Sequence, residues 1–397
     1  MKALRHLLLI SLFWCDVNSG FAQTWTQTSA PSTDWQSIAS SADGAKLVAL
    51  PRQKGICVST NSGITWQNAT NEPSIFGSGI WGSIAASADG NKLVAEAPYN
   101  QNLPSNGGIF TSINSGISWT QSSVSGVATG VACSADGTKM AMAIGGGIVG
   151  RGIYMSTNSG ASWSQTSTAP GLNWSSIAAS PDWTKLAAAA YGDGIYISTD
   201  SGATWPKSGA SNANWSVVVS SADGSKLTAV DYLNAIYTST NSGATWVSNS
   251  IPVAKWRSVA SSADGCRLIA AATNGLIYTS TNSGNTWQSN SVPTNYWYRV
   301  VSSADGTKLV AAVHGGGIYT SYTPPKPSLS VAISNNSLAL SWLVPSTNFV
   351  LQKGTNMAKA NSWVTLTNTP VLNLTNLQNQ IILSRPSSNL FYRLKTP

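Results

Sequence analysis

The chain has 397 residues, of which only 9% are charged, and a formal net charge of +8. No dense Lys/Arg run interleaves with aromatics, which argues against a nucleic-acid partner, and no apolar run reaches the roughly 18 to 20 residues of a membrane helix. With His6 and His314 the only histidines and no CxxC motif, a zinc site is excluded and no metal or cofactor is expected.

The first 22 residues read as a secretory signal peptide. Lys2 and Arg5 give a basic start, Leu7 to Trp14 an apolar core, and Gly20-Phe21-Ala22 small residues for cleavage after Ala22. Phe13-Trp14 before Cys15 is too bulky for lipoprotein processing. The expected product is secreted: extracellular, cell-surface or periplasmic. Cys57, Cys133 and Cys266 remain, an odd number that excludes a closed disulfide framework, and buried thiols are expected, with one chance disulfide as the alternative.

Residues 23–323 are repetitive, and the repeat sets the architecture. Ser-Ala-Asp-Gly or a variant places its Asp at 43, 89, 136, 182, 223, 264 and 305; the fourth copy is Ser180-Pro181-Asp182-Trp183. A second signal, Ser-x-Asn/Asp-Ser-Gly-x-Thr/Ser-Trp, ends at Trp66, Trp119, Trp163, Trp205, Trp246 and Trp287. These tryptophans lie 41 to 44 residues apart, apart from one 53-residue step. Each unit predicts four strands: Trp35-Gln-Ser-Ile-Ala-Ser-Ser inside, Lys46-Leu-Val-Ala-Leu after the Ala-Asp-Gly hairpin turn, Gly-Ile-Cys57-Val-Ser-Thr, and an outer strand beginning Thr65-Trp66. The last unit ends at Tyr319-Thr-Ser321 without an outer strand. Thr24-Trp25-Thr26-Gln27, 41 residues before the Trp66 copy, supplies it. The expected fold is an all-β, seven-bladed propeller closed by its N-terminal strand.

Ser59-Thr-Asn61-Ser-Gly63-Ile-Thr65-Trp66 and its five sisters resemble the Asp-box (BNR) repeat of sialidases, sortilin-type receptors, some xyloglucanases and the photosystem II assembly-factor propellers. The repeat's acidic position holds Asn61, Asn114, Asn158, Asn241 and Asn282, with Asp only at Asp200. These six are expected to be structural: the side chain caps backbone N–H groups, Gly permits the turn, and Trp packs over it.

Pro324-Pro-Lys-Pro327 reads as a stiff linker. Residues 328–397 alternate as six short strands, Leu329–Ile333, Leu338–Trp342, Phe349–Gln352, Trp363–Leu366, Gln380–Leu383 and Phe391–Leu394, and resemble a fibronectin-III-like β-sandwich of the kind that follows many secreted bacterial propellers. Lys353, Lys359, Arg385, Arg393 and Lys395 face no Asp or Glu in this segment. They are read as a solvated surface, with an acidic polymer or membrane as the alternative partner.

Function is less legible. A sialidase needs an arginine cluster, a Tyr nucleophile and two carboxyl groups, but Arg52, Arg151, Arg257, Arg267 and Arg299 fall in different blades. Arg267 occupies the repeat's Lys position. Other glycosidases need paired carboxylates, for which Asp193 and Asp231 in adjacent blades are the candidates. No catalytic residue is assigned. Trp35, Trp81, Trp174, Trp215, Trp256 and Trp297 open six inner strands. They are expected to pack between blades, with a sugar-stacking ring as the alternative.

Variation inside a strict repeat marks positions that the fold does not dictate. Such positions name a loop face of Tyr99, Asn100, Arg151, Tyr191, Asp193, Asp231, Tyr232, Asn234, Tyr296, Tyr298, Arg299 and His314. The expectation is a monomeric, non-catalytic recognition protein binding a glycan or an extracellular protein there. A glycoside hydrolase and an assembly scaffold resembling the photosystem II factor are the alternatives.

Overall fold

A computed structural model describes residues 24–52, 55–70, 81–97, 108–122, 128–145, 151–166, 168–232, 234–252, 254–323, 329–334, 337–343, 350–355, 362–373, 378–384, 386 and 390–395. The expected signal peptide, the linker, Tyr99 and Asn100 lie outside these. Among the described residues there is no α-helix, and the strands pair antiparallel in successive units. The first unit runs Thr33–Ser40, Leu47–Pro51, Cys57–Ser59, Gln67–Asn68. Later units repeat the order, and the last, Trp297–Ser302, Lys308–Gly316, Ile318–Tyr322, takes Trp25–Gln27 as its outer strand, with Trp25 opposite Ser321.

The turns after the first strands join unit to unit around an axis. The backbone N–H of Ala42 donates to Ala88 O, Ala88 to Ala135, and Ala135 to Pro181; Ala222 donates to Ala263, Ala263 to Ala304, and Ala304 back to Ala42, all at 2.6–2.9 Å. This belt closes the ring of a β-propeller. It breaks once, at Pro181, which has no N–H to offer the next unit. The belt surrounds a cavity of about 190 Å³ lined by Ser and Ala, with Cys133 among them. Cys57 is buried and Cys133 half-buried, neither in a disulfide.

Small residues let the turns nest. Gly44 has φ +67°, and a Cβ there would lie 2.9 Å from the Lys308 stem of the preceding unit. Arg267 packs on Gly306 in the same way, so its role is in the framework. The fourth unit puts Trp183 at this position with φ +66°. Its ring is buried in a cluster with Trp174, Leu186 and Trp205, and that packing holds a conformation that a bulky side chain otherwise avoids.

The six inner-strand tryptophans are at most 2% exposed. Trp174, Trp215, Trp256 and Trp297 each meet a third-strand Tyr edge-on at 5.2–5.4 Å. They glue neighbouring units together, and the sugar-stacking alternative fails.

Each Ser-x-Asx-Ser-Gly turn is held by the same bonds. The Ser hydroxyl accepts the Gly N–H at 2.8–3.0 Å. The Oδ1 of Asn61, Asn114, Asn158, Asp200, Asn241 and Asn282 accepts a backbone N–H four residues on, at 2.9 Å. In five copies the Trp indole donates to the Gly carbonyl, and Trp287 lacks that bond. Hydrogen bonds from Thr204 and Ser198 hold the exposed Asp200 carboxyl down to about 2. A lowered carboxylate contributes stability above its ordinary value of about 3.9 and loses it as pH falls through the folded value. Asp200→Asn installs the residue of the other five copies. It should leave the neutral-pH melting temperature near wild type and flatten the acid-side slope, and carboxyl-carbon NMR should give a wild-type midpoint near 2.

Two expectations change. The fourth unit has no regular outer strand, only a bridge from Tyr196 to Lys207, because Pro206 follows Trp205 and cannot donate to a ladder. Beyond residue 329 the strands number seven among the described residues. Ser330–Ser334, Ser337–Leu343, Gln378–Ser384 and Val371–Asn373 form one sheet; Trp363–Thr365, Val350–Gly354 and Phe391–Lys395 form the other. Val371–Asn373 was not expected. Its three residues are too few to show alternation. Leu338, Leu340, Trp342, Leu351 and Ile381 are buried together here.

Candidate binding face

The ends of the inner strands opposite the Ala-Asp-Gly turns carry the residues that depart from the repeat. Six of the inner strands kink just after the Trp position (Ala128 in the third unit), where one extra residue enters the ladder: between Trp256 and Ser258, and between Trp297 and Arg299, for example. The extra residue is Gln36, Thr129, Ser175, Ser216, Arg257 or Tyr298. The next is Ser37, Gly130, Ser176, Val217, Ser258 or Arg299. Uncharged, mostly small or hydroxyl residues are thus replaced by Arg257, Tyr298 and Arg299 in adjoining units.

These three side chains meet. The Arg257 guanidinium lies over the Tyr298 ring, 4.3 Å from its centroid, and its Nη2 donates to Tyr298 Oη. Arg299 lies 5.2 Å from the same centroid. Tyr296 stacks on Tyr298 at 6.4 Å, and His314 sits 5.1 Å from Tyr296 and 5.4 Å from Tyr298. His314 Nδ1 is 3.5 Å from Asp34 Oδ1. The strand pairing of Asp34 with His314, where the last unit meets the first, sets that distance. Burial and then the Arg257 charge pull Arg299 down to about 10, so two cations share this corner at a desolvation cost.

Glu96 belongs to the same electrostatic group. Burial pushes its carboxyl well above the usual carboxylate range, and the Ser83 N–H and the Arg299 charge pull it back only in part.

The other expected residues stand apart from this cluster. Asp193 is ion-paired with Lys207 and accepts the Gly194 N–H, beside an exposed Tyr191. Tyr191 and Asp193 pair with Asn214 and Ala213 of the next unit. Asp231 is buried, with Oδ2 accepting from Asn234 Nδ2 at 2.8 Å, and Tyr232 follows it half-buried. The two carboxylates of the hydrolase alternative are thus each engaged with a separate partner. Arg151 is exposed, and its carbonyl accepts from Gln165 Nε2. Sequence reasoning therefore named Tyr296, Tyr298, Arg299 and His314 as site residues, weighed Glu96 only as the start of the second unit's variable loop, and passed over Arg257. Aligning the position after each inner-strand Trp would have exposed Arg257.

The fold and this face define a β-propeller with a cationic, aromatic patch at one end of its axis. No family model and no curated protein matches the chain. Among solved structures, one described as YCF48 bound to D1 peptide is similar with a TM-score of 0.58 and 14% identity, over 77% of this chain and 99% of that one. YCF48 from Cyanidioschyzon merolae is similar with a TM-score of 0.57 and 14% identity, over 75% and 98%. At this identity the likeness is one of fold.

Proposed function

We propose that the chain is a non-catalytic recognition propeller that holds a segment of another protein on the Arg257–Tyr298–Arg299 face. The observation that carries the reading is the convergence of two arginines on one tyrosine, flanked by Tyr296 and His314. Guanidinium groups over aromatic rings are well suited to polar backbone and acidic side chains. A solved structure of the similar YCF48 with a peptide agrees with a protein partner. The reading includes seven blades, Asp-box turns that serve the framework, export after cleavage near Ala22, and residues 328–397 as a separate fibronectin-III-like module.

The test is selection of a displayed random peptide library on the chain from residue 23 onward and on its Arg257→Ala/Arg299→Ala variant. Peptides enriched on the wild type should bind the variant at least about tenfold more weakly, as loss of charged interface contacts does. Equal enrichment on both proteins contradicts the reading. A glycan array that lights up while no peptide is enriched moves the assignment to a sugar ligand.

A further inference from the structure

Glu96 stands where the other units are apolar. Its counterparts on the second strands, opposite the residue after the kink, are Leu50, Ala143, Ala189, Val230, Ala271 and Ala312. It is 2% exposed, and its Oε2 has no hydrogen-bond partner. The room it occupies comes from Gly82, the residue after Trp81: a Cβ there would overlap Glu96 Oε1 and lie 2.6 Å from Cδ. A carboxyl has therefore been placed where a side chain at position 82, just before the inner strand, would otherwise stand.

The charge of Arg299 acts on it, yet no hydrogen bond or ion pair joins the two. Behind Arg299, the buried Nε of Arg257 also lacks a partner. Buried polar atoms without partners are rare in folded proteins and call for an explanation. Two such atoms, on Glu96 and on the arginine that shares the Tyr298 ring with Arg299, would be satisfied by a ligand that supplies acceptors to the guanidiniums and to a carboxylic acid O–H.

We propose that Glu96, Arg257 and Arg299 form an oxyanion-binding site at the mouth of the channel, with the Glu96 hydroxyl donating a third hydrogen bond to an oxygen that the two guanidiniums hold. This rests on the recognition reading above and names the chemistry recognised: a carboxylate, or a sulfate or phosphate of the same donor demand. The protonated acid is a donor, whereas the ionised one repels the ligand. The charged group facing Glu96 is Arg299, with Arg257 and the Tyr298 hydroxyl next to it. Affinity for an anion should therefore fall as pH rises and Glu96 loses its proton.

Saturation-transfer NMR of acetate, with sulfate and inorganic phosphate as competitors, tests this from about pH 5 to about pH 9. As Glu96 loses its proton, wild-type binding should weaken relative to Glu96→Gln at the same pH, a comparison that cancels any contribution of His314. Glu96→Gln keeps a neutral donor and should bind at all these pH values. Glu96→Ala should bind about tenfold more weakly, the usual effect of losing a hydrogen bond to a charged group. Gly82→Ala should do the same by crowding the carboxyl out without touching a titratable group, and circular dichroism should show both variants folded. Competition by sulfate and phosphate as strong as by acetate itself would make the site a general oxyanion site, and weak competition would make it carboxylate-selective. Acetate binding that ignores both Glu96 variants, or that strengthens with pH, overturns the proposal. If peptides still depend on Arg257 and Arg299 in that event, the recognition reading stands without it.

Discussion

Deleting residues 24–28 is expected to destabilise the propeller by about 4 kcal/mol or more, in the range of losing a large buried aromatic. Trp25 packs against the cluster of Ile269, Ile277, Trp297 and Leu309. Gln27 Oε1 accepts from Tyr319 Oη at 3.1 Å, and the Thr28 N–H donates to Ile318 O at 2.8 Å. The deletion also leaves Ile318–Tyr322 as a bare edge strand, which invites pairing between molecules. Urea unfolding should show the drop in midpoint, and size-exclusion chromatography should show association that a synthetic peptide of residues 23–30 reverses. An unchanged midpoint would mean that the ring closes without its latch.

The second large effect concerns the tryptophans between units. Trp256 is fully buried and meets Tyr278 edge-on at 5.4 Å. Trp256→Ala should cost about 3–5 kcal/mol through the cavity it leaves. Trp256→Phe should cost less than Trp256→Ala, because the ring that remains leaves a smaller cavity. The Trp256 indole N–H is buried without an acceptor, so its removal loses no bond. Trp215 differs, because its indole donates to Ser211 O at 3.1 Å. Trp215→Phe should therefore cost about 1 kcal/mol more than Trp256→Phe, the worth of one hydrogen bond. Parallel urea melts of the three variants check the order, and equal costs for the two Phe variants would contradict it.

The propeller was legible because its signals recur. The Ala-Asp-Gly turns mark one end of every inner strand, and the Trp25 match to Trp66 foretold the outer strand that now pairs with Ile318–Tyr322. What escaped was decided locally. Pro206 silenced one outer strand, and Val371–Asn373 was too short to declare itself. At the candidate site, Tyr296, Tyr298, Arg299 and His314 were visible as departures from the repeat. Arg257 looked like one more scattered cation, since its contact with Tyr298 crosses 41 residues of sequence. Glu96 was hidden for a different reason. It sits in Leu93-Val-Ala-Glu-Ala97, where a strand pattern says nothing about Gly82 making room just before the neighbouring strand.

The face is also set apart from the framework turns. The Ser-x-Asx-Ser-Gly bonds are spent on the turn's own backbone, whereas Arg257 Nε and Glu96 Oε2 remain without partners. The proposed recognition is therefore assigned to the face where the last two units meet the first. Hydrogen–deuterium exchange on the chain with and without a selected peptide tests this most directly. Protection should appear in residues 254–259, 295–300 and 312–316, with the turns ending at Trp66, Trp119 and Trp163 unchanged. Protection confined to those turns, or to residues beyond 329, would contradict the account.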